Sequence, residues 1–472
     1  MVFPVVGGNE SKGYEISNSL RFNDGDSPGL AITPSGAGNR KTWTYSGWVK
    51  RSALTTGQEH IFMVNGGNND STWVQLRFED NDFTFSFYNQ RAIRTDRKFR
   101  DPSAWYHIVV AVDTTQGTDS NRIKLYVNGV QETSFSDTNY PSQNDDTGVN
   151  GTYRHFIGGE GGTSGNASGS FYDGYMTEVH LVDGSQLLPT SFGEFDDNGV
   201  WVPIKYTGSY GTNGFFLQFK QTGTSQNSSG IGADTSGNDN HFAVNNLAAT
   251  DVTEDTCTNN FATLNPLDRA VENASGGIVL SEGNCEAVGV NGGNRSRAQS
   301  TIGFSSGKWY AEFKIKNGND HKTQIGMIDE VQSTTNHGGV NAGVEYRTND
   351  DAIYSFTNGS ENSGQTGLSG ISNDDIVGVA INADTSPPSI QFYVNGSTKG
   401  TAVTYPNTGS IYFFFVRDGS DSGNDEPHVV CNFGNPPYTI SSSNTDGKYG
   451  NFEYAPPSGY YALCTKRLAE FG

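Results

Sequence analysis

The sequence predicts an all-β protein made of two tandem β-sandwiches. Three observations support this prediction: apolar stretches alternate with a period of two, long helical patterns are missing, and one strand-and-turn pattern occurs twice. Alternation with a period of two buries one face of each strand in a core. An amphipathic helix would instead require apolar residues at i, i+3, i+4 and i+7, and no long run of that kind occurs.

The predicted strands of the first half lie at residues 43–49, 83–88 and 105–112. Each alternates large, often aromatic, side chains with smaller ones, and each is bounded by Gly, Asn or Asp. These three residue types tolerate the positive φ angles of tight turns. We therefore expect short strands joined by tight loops, and we interpret the aromatic run at 412–417 as a further core strand.

One pattern is repeated within the chain. The sequence Ile-Lys-Leu-Tyr-Val-Asn-Gly at residues 123–129 returns as Ile-Gln-Phe-Tyr-Val-Asn-Gly at residues 390–396. An apolar strand that ends in Asn-Gly favours a two-residue type I′ hairpin turn. The strand pattern before each copy also recurs, at 105–112 and at 375–382. Because the copies are too far apart for a solenoid, they indicate two related sandwiches.

The repeat divides the chain into four predicted segments. We expect an N-terminal anchoring segment at 1–16, a first sandwich at 17–220, an extended linker at 221–262 and a second sandwich at 263–472. The linker prediction rests on its polar, turn-rich composition. Pro266 and the residue before it disfavour regular structure, so we place the start of the second domain near this point.

The composition fits thin aromatic cores and excludes some functions. Only 33% of the residues are hydrophobic but 12% are aromatic, so large rings fill the cores while the 60 glycines serve the turns. With 51 acidic and 30 basic residues the net charge is −21, and nucleic-acid binding is not expected because phosphate contacts need clustered Lys and Arg. The densest basic stretch, at 91–100, includes Asp96 and is interpreted as a solvated sheet edge.

The chain shows no targeting or membrane signal. No run of about 18 apolar residues occurs, so we expect no membrane insertion. The first residues lack the basic and apolar regions of a signal peptide. The four cysteines lie in the second half without Cys-x-x-Cys spacing, which leaves one or two disulfides open. We expect a protein that works where it is made or leaves the cell within a larger particle.

Two stretches resemble known sandwich domains. Residues 40–185 resemble the laminin-G-like, concanavalin A-like lectin sandwich, and residues 300–435 resemble a SPRY-type sandwich. The resemblance implies two tandem concanavalin A-like or jelly-roll sandwiches. The first resemblance is carried by Trp43, Trp48, Trp105-Tyr106-His107, Tyr126-Val127-Asn128-Gly129 and residues 171–179. The second is carried by residues 306–313, 325–327, 378–380 and 393–396.

The junction and the C-terminus resemble structural proteins of tailed phages, in residues 232–241, 259–267 and 457–465. This resemblance implies a virion protein that is made in the host cytoplasm and displayed on the phage particle. It implies a tail fibre or host-recognition component, a homotrimer that binds a host surface glycan or envelope protein and contacts other tail or capsid proteins. A capsid fibre or decoration protein and a polysaccharide depolymerase are the alternatives.

The sequence gives no catalytic set, and we expect no enzyme. Glycosidases on this type of sandwich place carboxylates in a Glu-x-Asp-x-x-Glu pattern, which is absent here. Asp173 and Glu178 are five positions apart, so we expect them to point to opposite faces. We interpret Glu178 as a structural or surface carboxylate. The Gly-Phe-Ser-Ser-Gly match at 303–307 precedes a strand pattern, whereas a nucleophile elbow requires a helix.

Glycan binding needs exposed aromatic faces with polar groups beside them. Five residues on predicted loops meet this description and are the candidate ligand-binding residues: Tyr140, Tyr153, Arg154, Tyr346 and Arg347.

Acidic, glycine-containing loops offer oxygen ligands that suit Ca²⁺. No cofactor is required by the sequence, but calcium is a candidate ligand because laminin-G-like domains often carry it at a sandwich rim. The candidate calcium ligands are Asp24, Asp26, Asp418, Asp421 and Asp425.

Overall fold

The computed structural model describes two compact units, one ending at Thr258 and one beginning at Asn259. No helix in the described part of the chain is long and apolar enough to cross a membrane. The described residues are 13–54, 56–271, 277–290, 296–317, 322–330, 342–357, 360–362, 364–405, 411–419 and 426–472.

The first unit contains twenty strands within its described residues. They are β1 (Ser19–Phe22), β2 (Gly29–Ile32), β3 (Thr42–Arg51), β4 (Gln58–Asn65), β5 (Trp73–Glu79), β6 (Asp82–Ser86), β7 (Arg91–Thr95), β8 (Trp105–Asp113), β9 (Ile123–Val127), β10 (Val130–Gln131), β11 (Phe135–Thr138), β12 (Arg154–Ile157), β13 (Glu160–Gly161), β14 (Ala167–Gly169), β15 (Gly174–Asp183), β16 (Gly193–Phe195), β17 (Trp201–Pro203), β18 (Phe215–Leu217), β19 (Ala243–Asn245) and β20 (Val252–Thr253).

These strands form a sandwich of two eight-stranded sheets. One sheet has the order β10-β9-β8-β3-β15-β1-β20, with β18 also paired to β15. The other has the order β11-β7-β6-β5-β4-β12-β2-β19. A continuous apolar core lies between them and includes Trp43, Phe62 and Phe78. The pairs β13–β14 and β16–β17 are small separate ribbons.

The second unit contains fifteen strands and one short helix within its described residues. They are β21 (Leu264–Val271), β22 (Gly277–Ser281), β23 (Glu286–Val290), β24 (Ser296–Ser300), β25 (Lys308–Ile315), β26 (Thr323–Asp329), β27 (Gly343–Arg347), β28 (Ala352–Thr357), β29 (Ser360–Glu361), β30 (Ile376–Asn382), β31 (Ser389–Val394), β32 (Ser397–Thr404), β33 (Tyr412–Asp418), β34 (His428–Asn432), β35 (Tyr461–Ala462) and α1 (Thr465–Phe471).

The second unit is also a two-sheet sandwich. Its sheets have the orders β21-β24-β33-β26-β27-β28-β29 and β22-β23-β34-β25-β30-β31-β32, with β35 paired to β25. The predicted aromatic strand is confirmed as β33, which is buried throughout. The Gly-Phe-Ser-Ser-Gly segment leads into strand β25, as predicted. The all-β fold class with two sandwiches is therefore confirmed.

The repeated hairpin is confirmed in both units. Asn128 and Gly129 have φ angles of 48° and 78°, and Asn395 and Gly396 have 48° and 76°. In each copy the Asn side chain accepts a hydrogen bond from a backbone N–H near the start of the preceding strand, which is β8 in the first unit and β30 in the second. Asn128 Oδ1 accepts from His107 N at 2.7 Å, and Asn395 Oδ1 accepts from Ile376 N at 3.0 Å.

The predicted extended linker at 221–262 is not what the structure shows, because most of this segment belongs to the first sandwich. β19 pairs with β2, and β20 pairs with β1. Phe242 is fully buried and packs edge-on against Phe215 with ring centroids 4.8 Å apart. Isolated apolar residues among polar turns thus supply two edge strands. Of the predicted anchoring segment, residues 1–12 lie outside the described residues.

The basic stretch at 91–100 lies one strand inside the sheet, since β7 pairs with both β6 and β11. Several of its cations are paired with carboxylates: Arg94 Nε lies 2.9 Å from Asp82 Oδ2 of β6, and Arg97 Nε lies 2.6 Å from Glu132 Oε2. The four cysteines are free thiols.

We predict that Gly129→Ala destabilises the protein more than a matched glycine replacement. A Cβ at Gly129 would lie 2.2 Å from Cε3 of Trp201, and the residue has φ +78°. The control Gly199→Ala has φ +77° with nothing within 4 Å of the added Cβ. We expect a loss of about 1 kcal/mol for the control and about 1–3 kcal/mol more for Gly129→Ala, measured by urea unfolding. Equal losses would show that Trp201 does not restrict this turn.

Candidate functional site

A β-bulge interrupts β15, the strand at the centre of one sheet of the first unit. Thr177 pairs with Trp48 of β3, and His180 pairs with Ser46, so β15 uses one residue more than β3 over this interval. Within the bulge, Glu178 has a φ of +49°. Left-handed backbone is costly for a residue with a side chain, so the surrounding structure must hold it in place.

The bulge coincides with a change of partner strand. Before it, β15 pairs with β1 through Met176 and Leu20. After it, β15 pairs with β18 through Val179 and Leu217. Bulges redirect side chains and end regular pairing. Glu178 therefore lies where two partner strands meet, and Tyr14, which precedes β1, reaches the same point.

Glu178 is buried and is bonded to a residue of a cleft wall. The Tyr14 hydroxyl donates to Glu178 Oε2 at 2.7 Å. Burial raises the pKa of Glu178 to about 7, although Tyr14, the charge of Lys220 and a bond from Gln218 oppose the rise. The carboxyl therefore changes charge near neutral pH. Burial and the neighbouring Glu178 also raise the pKa of Tyr14, so its hydroxyl keeps its proton.

His180 connects the bulge to the aromatic residues beside it. Its Nδ1 lies 2.8 Å from the Tyr210 hydroxyl, and its Nε2 lies 3.8 Å from Glu178 Oε2. The ring stacks on Phe216 with centroids 4.1 Å apart at an angle of 11°. Burial lowers the pKa of His180 well below its usual value, so the ring is neutral at physiological pH. A neutral ring fits this apolar stack.

An open cleft of about 600 Å³ lies above this group. Its described walls combine aromatic rings, hydroxyls, amides and two lysines. The lining residues are Tyr14, Lys205, Tyr206, Thr207, Gly208, Ser209, Tyr210, Phe216, Gln218, Lys220, Thr235, Ser236 and Asn238.

One wall of the cleft is a loop that carries two tyrosines, Tyr206 and Tyr210. Their rings meet edge-to-face with centroids 5.0 Å apart, and Tyr206 stacks on Phe192. The Tyr206 hydroxyl donates to Ser209 O at 3.0 Å, which closes the loop on itself. Phe192 is buried against the outer face of the sheet. The aromatic wall is thus anchored on the sandwich.

A second part of the cleft lining, Thr235, Ser236 and Asn238, belongs to the turn that begins at Asp234. Asp234 Oδ1 accepts from the backbone N–H groups of Phe216 and Ser236, at 2.8 and 2.9 Å. Asn238 Nδ2 donates to Gly211 O at 2.6 Å, which ties this turn to the tyrosine loop. The turn belongs to the polar sequence motif at 232–241. In this molecule the motif forms part of the cleft.

Three of the predicted ligand-binding residues lie in the first unit. Tyr140 is half-buried against the core. A Cβ on Gly66 or Gly151 would meet the Tyr153 ring within 2.4 Å, so two glycines make room for that ring. Arg154 Nε donates to Gly165 O at 2.9 Å. All three side chains already have partners in the fold, and glycan binding by them stays a prediction.

The other two predicted residues lie in β27, so they were wrongly placed on a loop, as was Arg154, which begins β12. Tyr346 is fully buried, and its hydroxyl donates to Asp351 Oδ1 at 3.1 Å. Arg347 bonds Glu345 Oε1 at 2.7 Å and Glu361 Oε2 at 2.6 Å. The Asn and Asp residues after position 347 suggested a loop, but they form the turn that follows the strand.

Three of the five candidate calcium ligands, Asp24, Asp26 and Asp418, lie among the described residues. Asp24 and Asp26 are exposed on a 3₁₀ turn, and Asp418 is buried at the end of β33 in the other unit. Asp421 and Asp425 lie outside the described residues. Among the residues that the structure describes, no three His, Cys, Asp or Glu side chains come together as a metal site. Calcium binding stays a prediction.

Comparison with known proteins supports the fold of the first unit. Residues 24–186 match the family model of the concanavalin A-like lectin/glucanases superfamily, as the sequence resemblance predicted. No curated protein matches the chain.

Solved structures similar to part of the chain include a SPRY domain, a carbohydrate-binding module and a pentraxin. The SPRY domain of human HERC1 is 17% identical with a TM-score of 0.28, over 35% of this chain and 96% of that one. The carbohydrate-binding module CBM66 from Bacillus subtilis is 16% identical with a TM-score of 0.24, over 34% and 91%. A heptameric SAP-like pentraxin from Limulus polyphemus is 15% identical with a TM-score of 0.29, over 37% and 80%.

We predict that Glu178→Gln changes how stability depends on pH. The folded state holds the Glu178 proton more tightly than the unfolded chain, so stability falls as pH rises from about 4.5 to about 7. The amide cannot ionise, so relative to the parent the variant should gain stability across this interval, by roughly 3 kcal/mol at most. Urea unfolding at about pH 5 and about pH 8 measures the gain.

The matched control is Glu194→Gln, the same change at a half-buried glutamate in β16. Its stability difference from the parent should be the same at both pH values. If Glu178→Gln also gives a constant difference, then Glu178 does not titrate near neutral pH and the account of its burial is wrong.

Proposed function

We propose that the first unit binds carbohydrate in this cleft. The observation that carries the proposal is a cleft whose lining combines the rings of Tyr206 and Tyr210 with the amides of Gln218 and Asn238. Aromatic rings pack against the apolar face of a sugar ring, while amides and hydroxyls bond its hydroxyl groups. The match of residues 24–186 to a lectin and glucanase superfamily supports carbohydrate binding by the first unit, and the residues that line the cleft lie outside the matched range.

We propose that this binding is non-catalytic. Hydrolysis of a glycosidic bond ordinarily uses two carboxyl groups that flank it. None of the described residues that line the cleft is Asp or Glu. Glu178 lies behind Tyr14, buried and bonded to it, so it supports the wall and does not face a ligand.

We further propose that the protein is a host-recognition component, such as a tail fibre, on the surface of a tailed-phage particle. The support is the sequence resemblance at 232–241, 259–267 and 457–465, the first of which builds part of the cleft. A single shallow site binds weakly, and many copies on one particle would multiply its avidity. A trimeric assembly and contacts with other virion proteins belong to this proposal.

We predict that changes in the cleft abolish carbohydrate binding. Tyr206→Ala removes an aromatic face, and Thr207→Trp fills the cleft from an exposed position without removing a packed ring. Each should weaken binding on a glycan array by at least about tenfold. The control is Tyr88→Ala, which removes a partly exposed ring that contacts Trp73 instead of the cleft.

Adsorption to host cells tests the biological part of the proposal. The free protein should bind host cells and block infection, and Thr207→Trp should do neither. A protein that binds no carbohydrate and is found only against capsid subunits would contradict the proposal and favour a capsid decoration protein. Release of reducing ends from host polysaccharide would show a depolymerase.

A further inference from the structure

Many of the Lys and Arg residues of the first unit are paired with carboxylates. Lys50 Nζ lies 2.7 Å from Asp255 Oδ2, and Arg51 Nη2 lies 2.7 Å from Glu59 Oε2. All four of these residues are buried. Arg94 and Arg97 are paired in the same way at the surface. In a chain with a net charge of −21, cations that line one cleft without a described carboxylate beside them are therefore a notable feature.

The cleft holds two such cations, Lys205 and Lys220. Both are exposed, and neither forms an ion pair with any residue that the structure describes. The charge of Lys220 opposes the rise in the pKa of the nearby Glu178, but Glu178 is hydrogen-bonded to Tyr14 and Gln218. The described lining contains no carboxylate, so the charge of the cleft wall is positive.

We propose that the ligand of this cleft is an acidic polysaccharide, with the anionic group of one sugar bound between Lys205 and Lys220. The inference rests on the proposed carbohydrate-binding function and specifies its ligand. Tyr206 and Tyr210 would contact the sugar ring, and the two ammonium groups would contact its anionic oxygens. Charge-assisted hydrogen bonds of this kind are shorter and stronger than neutral ones.

The positions of the lysines fit this division of roles. Lys205 directly precedes Tyr206 on the tyrosine loop, and Lys220 lies just beyond β18, whose Phe216 also lines the cleft. The two ammonium groups thus come from two separate segments, each of which also contributes an aromatic residue to the lining. Anionic oxygens could be those of a carboxylate, a sulfate or a phosphate, and all three share the same recognition.

The test compares charged and neutral polymers on the full chain. The probes are polygalacturonate and its fully methyl-esterified form, and dextran sulfate and neutral dextran. We expect the charged member of each pair to bind at least about tenfold more tightly at about 0.05 M NaCl, and to lose most of this advantage at about 0.5 M. A preference confined to dextran sulfate would identify sulfate, and one confined to polygalacturonate would identify carboxylate.

The variant is Lys205→Met/Lys220→Met, which keeps the length of both side chains and removes their charge. It should bind the charged polymers about as weakly as the neutral ones. The control Lys41→Met removes a half-exposed lysine that lies outside the cleft lining, and it should change nothing.

Two results separate this inference from the function on which it rests. If Tyr206→Ala abolishes binding while the double lysine variant binds every polymer as the parent does, then the cleft binds carbohydrate but the acidic ligand is wrong. If the parent binds none of the four polymers and no sugar on a glycan array, both proposals fail.

Discussion

The site of the first unit depends on one extra residue in β15. This strand lies at the centre of its sheet and pairs with β3 along its whole length, so its register is fixed on that side. On the other side it is shared between β1 and β18. The bulge at Glu178 is what allows one strand to serve two partners that end at the same point. The space between those two ends is where Tyr14, Gln218 and the cleft are found.

The second unit shows a related arrangement with a different outcome. Its central strand, β25, carries the buried Glu312, and burial raises the pKa of that carboxyl to about 7 as well. Glu312 accepts hydrogen bonds from the backbone N–H groups of Glu453 and Tyr454, at 2.9 and 2.8 Å. These bonds fasten the C-terminal segment to the sheet. Glu312 therefore stabilises the fold, whereas Glu178 supports a tyrosine that faces a cleft.

Much of the fold could be predicted from the sequence, because it depends on local signals. Alternating side chains located most central strands, and Asn-Gly located both hairpins, since few other residue pairs take two positive φ angles in succession. The bulge could not be predicted in this way. Residues 174–183 read as an unbroken strand, and an interruption in pairing is set by the neighbouring strands, which are distant in sequence.

The candidate site was missed for the same reason. Tyr206 and Tyr210 lie in a polar stretch with no strand pattern. Their place in the cleft depends on the fold, which stacks Tyr206 on Phe192 and Tyr210 on Phe216. Tyr346 shows the opposite error, because the polar residues that follow it suggested a loop although the side chain is in the core. An aromatic residue beside polar ones is therefore ambiguous until its pairing is known. A signal was available at Lys205 and Lys220, two basic residues in a largely uncharged region between 198 and 233.

The distribution of charge also distinguishes the cleft from the rest of the chain. A protein with an excess of carboxylates is repelled by an anionic surface at long range, and at physiological salt this repulsion is screened beyond about 8 Å. Contact with such a surface must then depend on short-range attraction at a place where the carboxylates are absent. Among the described residues, the cleft is such a place: its lining has two lysines, no acidic side chain and aromatic rings that need no charge to bind. Because most of the chain is acidic, this one region differs from its surroundings, and for that reason we propose it as the place of contact.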